Sequence, residues 1–228
     1  MAFSKKKLDV RGQYTVYLVD GDAIRDSSAA NEEYGELAIH VDFPKLIPKN
    51  EIWIENDIEE KERHFLIANA LKRLSLMGEG YSKDRAYDIA LKFEKNLRKK
   101  SKADSASKDV KVSLYYQYEG IKIYLVRGEV VRDKYKTDFL EGGNHGAYKW
   151  IPENEIWLER GLADDELPFV LAHEWVENQV IKTLHWKYDR AHTDVASPIE
   201  FELRRRGPVS KEEVIPLAMS ILKQMRLK

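Results

Sequence analysis

The 228-residue sequence predicts an α+β fold built by tandem duplication: a unit with a β-hairpin or antiparallel sheet followed by two helices, repeated once, with a further helix at the C-terminus. Two short segments recur in the same order about 105 residues apart, and each recurrence is followed by a stretch of helical period. The first segment, Tyr17-Leu18-Val19-Asp20-Gly21-Asp22-Ala23-Ile24-Arg25-Asp26, returns as Tyr124-Leu125-Val126-Arg127-Gly128-Glu129-Val130-Val131-Arg132-Asp133. Its Asp-Gly pair between β-formers predicts a hairpin turn. The second, Ile47-Pro48-Lys49-Asn50-Glu51-Ile52-Trp53-Ile54-Glu55, returns as Ile151-Pro152-Glu153-Asn154-Glu155-Ile156-Trp157-Leu158-Glu159 and alternates like a strand with one buried face.

Helical period follows over residues 57–77 and 164–184, each opening with acidic residues that suit a helix N-terminus. A second helix is expected at about 82–99 and at about 189–206, the latter interrupted near Ser197-Pro198 because proline cannot donate the helical hydrogen bond. Ser210-Lys211-Glu212-Glu213 reads as a capping box, and Val214, Leu217, Ile221 and Met225 lie near one stripe of the last helix. The expected division is a first repeat at 1–100, a polar linker at 101–110, a second repeat at 111–207 and the C-terminal helix at 208–228.

Composition narrows the function. With 38 Lys plus Arg against 39 Asp plus Glu, the chain lacks the global charge of a polyanion binder. No apolar run approaches the ~20 residues that span a bilayer, and Met-Ala-Phe-Ser-Lys-Lys-Lys has no apolar stretch behind it, so a cytoplasmic protein without a membrane partner is expected. The absence of cysteine excludes disulfides, thiolate nucleophiles and sulfur-ligated zinc, leaving His, Asp, Glu or water to hold any metal. No phosphate-cradling glycine loop, dinucleotide fingerprint or serine nucleophile elbow is present.

Duplication supplies an internal control, since groups needed only for folding should occur in both copies. The second copy reads Leu171-Ala172-His173-Glu174-Trp175-Val176-Glu177 where the first reads Ile67-Ala68-Asn69-Ala70-Leu71-Lys72-Arg73, and Ala191-His192 stands where the first has Ala86-Tyr87. His173 and Glu177, four apart, share one helix face with Cβ atoms roughly 6 Å apart and can bridge one cation. His192 from the next helix supplies a third ligand. Glu174, about 100° around the helix from His173, is placed to act as a general base on metal-bound water. The same spacing also suits an ordinary helical His–Glu pair with Glu174 at the surface.

A helix bearing His-Glu-x-x-Glu with a further ligand downstream resembles the zincin-type metallopeptidase helix, usually His-Glu-x-x-His plus a third ligand. The resemblance covers about 20 to 35 residues of the second half. It implies that His173 is a ligand and Glu174 the base, while Glu177 stands where the family has its second His. The expected cofactor is a divalent ion, zinc first, with manganese or iron as alternatives.

The segment Glu141-Gly142-Gly143-Asn144-His145-Gly146 reads either as a flexible lid or as a longer hairpin turn. Glu200 is a reserve ligand, roughly 12 Å along a straight helix from His192. His185 suits a helix C-terminus. The basic runs at 97–100 and 203–206 complement helix C-termini without accompanying nucleic-acid motifs, so nucleic acid is not the expected partner. The sequence therefore predicts a metal-dependent hydrolase acting on a peptide-like or other polar substrate, with a noncatalytic protein-binding, nucleic-acid-binding or assembly module as the alternative.

Overall fold

The computed structural model describes residues 3–27, 34–101 and 109–225; most of the linker expected at 101–110 lies outside them. The α+β duplication is present, and the chain forms two compact units. Residues 1–108 and 129–138 make the first, 109–128 and 139–228 the second, so the segment 129–138 packs with the unit formed by the first copy.

In the first unit β1 (Lys5–Arg11), β2 (Tyr14–Val19), β3 (Leu37–Ile39) and β4 (Glu51–Glu55) form a sheet of order β1-β2-β4-β3. The sheet is mixed, not antiparallel throughout: β2 runs parallel to β4, while β1 and β3 are antiparallel to their neighbours. The parallel pair arises because the Asp20-Gly21 step is not a hairpin. Asp20 accepts the Ala23 N–H at 3.0 Å and so caps α1 (Gly21–Arg25), turning the chain out of the sheet. Gly21 is required there, since an added Cβ would lie 1.9 Å from Glu55 Oε1. The β1–β2 turn instead falls at Gly12, at φ +60°.

The strand β4 is covered on both sides rather than one. Ile52 and Ile54 pack with Leu66, Ile67 and Ala70 of α2 (Glu60–Gly78), while Trp53 joins Val19, Ile24, Tyr34 and Ile47 opposite. The helix α3 (Lys83–Lys100), capped by Ser82, packs on α2. The segment 129–138 carries most of α4 (Gly128–Lys134) and brings Arg132 to Glu62, which also meets Arg98. Arg98, the one arginine of the run 97–100, lies in the last turn of α3 as expected but is buried in an ion network instead of facing solvent.

The second unit repeats the plan with β5 (Lys111–Tyr118), β6 (Ile121–Val126), β7 (Gly142–Asn144) and β8 (Glu155–Glu159) in order β5-β6-β8-β7, β6 and β8 parallel. Its first helix, α5 (Leu167–Leu184), is buried continuously from Leu167 to Asn178. It meets β7 and β8, then α6 (Tyr188–Ala191) and α7 (Ser197–Arg206), and finally α8 (Lys211–Gln224), whose Val214, Ile215 and Ala218 close the core. His185 ends α5 in a left-handed conformation.

The helix does not break at Ser197-Pro198. Residues 192–196 form a π-turn that joins α6 to α7, with the Ser197 N–H and hydroxyl both donating to the His192 carbonyl. Proline just beyond it has no N–H to satisfy. Among the described residues no helix is long and apolar enough to cross a membrane.

Candidate metal centre

The helix α5 enters the unit with Phe169, Leu171, Ala172 and Val176 among the apolar residues that bury it on the sheet and on its neighbouring helices. His173 and Glu177 therefore project into protein, not water; both are buried, as is Glu174. The surface alternative for Glu174 does not hold. An ionised carboxylate in such a place costs several kcal/mol unless donors or a cation meet it.

Three ligand atoms converge. His192 Nδ1 lies 2.9 Å from His173 Nε2 and 3.0 Å from Glu177 Oε2, and His173 Nε2 lies 3.7 Å from Glu177 Oε2. An ion with tetrahedral ligands at roughly 2.0–2.1 Å keeps them roughly 3.3–3.4 Å apart, within the range observed, so the group can hold a metal ion. The His192 side chain is 29% exposed, whereas those of His173 and Glu177 are enclosed.

His173 is held from behind. Glu200 Oε2 lies 2.8 Å from His173 Nδ1; a carboxylate can only accept, so Nδ1 carries the proton and Nε2 presents its lone pair to the centre. Glu200 in turn accepts from Arg204, whose guanidinium also donates twice to Glu166 at 2.8 and 2.7 Å. Burial works against the charged Arg204, but Glu200 and Glu166 outweigh it and raise its pKa. Glu200 therefore orients a ligand instead of joining the ligand set.

The π-turn makes this double grip compatible with one helix. Buried Ala86 and Ala90 of α3 correspond to buried Ala191 and Ala196, four residues apart in the first copy and five in the second. In a regular helix His192 and Glu200 would be about 80° out of line; with one residue absorbed by the wider turn they align as an i,i+7 pair does, about 20° apart. Both then reach His173, one at each ring nitrogen.

Asn144, at the end of β7, was not legible as part of the site. Its Nδ2 donates to Glu174 Oε2 at 2.7 Å and to Glu177 Oε1 at 2.6 Å. Burial, then the neighbouring Glu177 charge, push the Glu174 carboxyl well above the usual carboxylate range. Burial also raises Glu177, but the neighbouring His173 and His192 rings and the Asn144 amide outweigh it and hold that group low. Aligning the copies along β3 and β7 would have exposed Asn144: it stands opposite Ile156 as Ile39 stands opposite Ile52.

The glycine-rich segment around Asn144 is a buried strand, Gly142–Asn144, that runs into a half-buried turn. An added Cβ at Gly142 would lie 3.0 Å from Glu174 Cγ, and one at Gly146 would lie 2.4 Å from Ile181 Cδ1, so glycine lets the strand approach α5. His145 stays outside the ligand group. Its Nδ1 pairs with the Ile151 carbonyl at 2.7 Å, as His40 Nδ1 pairs with Ile47 at 2.6 Å, so the first copy has its counterpart and the residue belongs to the shared scaffold.

The first copy shows what the scaffold does without these ligands. Asn69 donates to Glu94 at 2.8 Å as His173 does to Glu200, and Arg98 replaces Arg204. At the position of Glu177 stands Arg73, which donates to Asp42 at 2.6 Å and lies 5.2 Å from the ring of Tyr87, the counterpart of His192. A buried guanidinium occupies the place where the second copy gathers two imidazoles and a carboxylate. Comparison with protein-family models, curated proteins and solved structures finds no match to this chain.

Proposed function

We propose that the second unit is a metal-dependent hydrolase centre in which His173, Glu177 and His192 hold a divalent ion, zinc by preference, and Glu174 serves as general base. The observation that carries the reading is the convergence of Nε2, Nδ1 and Oε2 to within 2.9–3.7 Å, with Glu200 behind His173 and Asn144 behind Glu177. Two imidazoles and one carboxylate form a ligand set that catalytic zinc uses with a fourth position open to water. The first copy adds support, since its equivalent position is filled by a built-in cation, Arg73.

The ion would supply Lewis acidity, bringing the pKa of a water toward about 7. Glu174 would take the proton from that water as the oxygen attacks a carbonyl carbon, then return it to the leaving nitrogen as the carbon–nitrogen bond breaks. The substrate class is polar and peptide-like, by the resemblance of His-Glu-x-x-Glu to the zincin helix. Zinc-loaded protein incubated with a mixed peptide library should produce cleavage that Glu174→Gln abolishes while its zinc content stays at the wild-type level. Cleavage that survives Glu174→Gln removes Glu174 from the chemistry, and a wild-type protein that holds zinc but cleaves no member of the library counts against the peptidase reading.

A further inference from the structure

Sequence signals single out His173, Glu174, Glu177 and His192, but the side chain that ties two of them together comes from the sheet. We propose that Asn144 is a positioning residue of the metal centre: its amide fixes Glu177 so that one oxygen is offered to the ion, and holds the Glu174 carboxyl at a set offset from that ligand. The inference rests on the metal-centre reading above.

The orientation of the amide is determined by its surroundings. The Gly146 N–H donates to Asn144 Oδ1 at 2.7 Å, which leaves Nδ2 facing the two acids. Both amide hydrogens are then used, one on each carboxylate, and the side chain is fully buried. Glu177 Oε1 is taken by the amide while Oε2 faces His192 at 3.0 Å, so the two oxygens have separate tasks. The backbone makes room for the arrangement, since a Cβ at Gly146 would lie 2.9 Å from Asn144 Oδ1 and one at Gly142 3.0 Å from Glu174 Cγ. The first copy lacks all three groups, with Ile39, Ala70 and Arg73 at the positions of Asn144, Glu174 and Glu177, so amide and acids occur together.

The test uses the full chain loaded with zinc or cobalt(II). Asn144→Ile places the residue of the first copy on the same strand register, and Gly146→Ala keeps the amide but displaces it, which maintains the test should the first variant fold poorly. Wild-type protein should bind one ion. Both variants should lose roughly 10- to 100-fold in zinc affinity, the usual effect of removing a group that orients a ligand, and should shift the visible spectrum of bound cobalt as Glu177 is released. A role confined to stability would move the melting temperature and leave that spectrum unchanged. Variants matching wild type in both affinity and spectrum overturn the role of Asn144 alone, whereas a wild-type chain that takes up neither ion overturns the metal-centre reading and this inference with it.

Discussion

His173 lies between two partners, with Glu200 on Nδ1 and His192 on Nε2. Removing the ring should abolish high-affinity zinc binding, and His173→Ala measured by competition with a chromophoric chelator checks this. Glu200→Gln keeps the shape but not the charge that Arg204 and His173 both meet, so it should weaken zinc by about 10- to 100-fold without abolishing binding. Retention of wild-type affinity in Glu200→Gln would show that the ring needs no such support. The residues that carry these arguments were legible to different degrees. His173, Glu174, Glu177 and His192 stood out because the first copy has Asn69, Ala70, Arg73 and Tyr87 in their places. Asn144 did not, because its partners lie 30 and 33 residues away and only strand register relates it to Ile39.

At the scale of elements, periodicity located the long helices but neither the short α1 and α4 nor how the elements are joined. Asp20-Gly21 combines two local meanings, hairpin turn and helix cap, and the cap prevails because Gly21 must clear Glu55 while Asp20 accepts from Ala23. Asp20→Ala should therefore destabilise the first unit by about 1 kcal/mol, read from its denaturant midpoint. The alternation in β4 suggested one buried face, yet α2 covers one side and the Trp53 cluster the other. Near Pro198 the missing N–H was visible, but the response, a π-turn starting on His192, depends on tertiary anchors at both ends. The repeated plan also allows an exchange of parts. Glu177→Arg combined with Ala147→Asp transfers the Arg73–Asp42 pair into the second unit, Ala147 being the counterpart of Asp42 along β3 and β7. Such a protein should bind no zinc, and its unfolding midpoint should be insensitive to chelator; a midpoint that still falls on chelation would contradict the equivalence of guanidinium and ion.

At the scale of the molecule, the two units should respond to different variables. In the first, burial raises the Glu62 pKa but Arg98 and Arg132 outweigh it, so the folded-state value lies below the ordinary one. A carboxyl lowered on folding contributes stability that is complete above its unfolded pKa and is lost as pH falls through the folded value. The first unit should thus weaken on acidification below about pH 5, and Glu62→Gln should flatten that part of the stability–pH curve. The second unit should respond to the ion. Zinc at 100 times its dissociation constant stabilises the binding state by about 2.7 kcal/mol, a shift that chelator should reverse in wild type and that should be absent in His173→Ala. Duplication made the plan of both units legible, since shared residues marked scaffold and unshared ones marked the candidate site. The assignment of 129–138 to the first unit was not legible, because it follows from which acids Arg132 meets rather than from chain order.

The most direct measurement is anomalous X-ray scattering at the zinc edge from crystals of the full chain grown with zinc. The account predicts a single strong peak roughly 2.0–2.2 Å from His173 Nε2, His192 Nδ1 and Glu177 Oε2 together. Zinc density found only elsewhere, with His173 and His192 bonded directly to each other and Glu177 turned toward solvent, would contradict it.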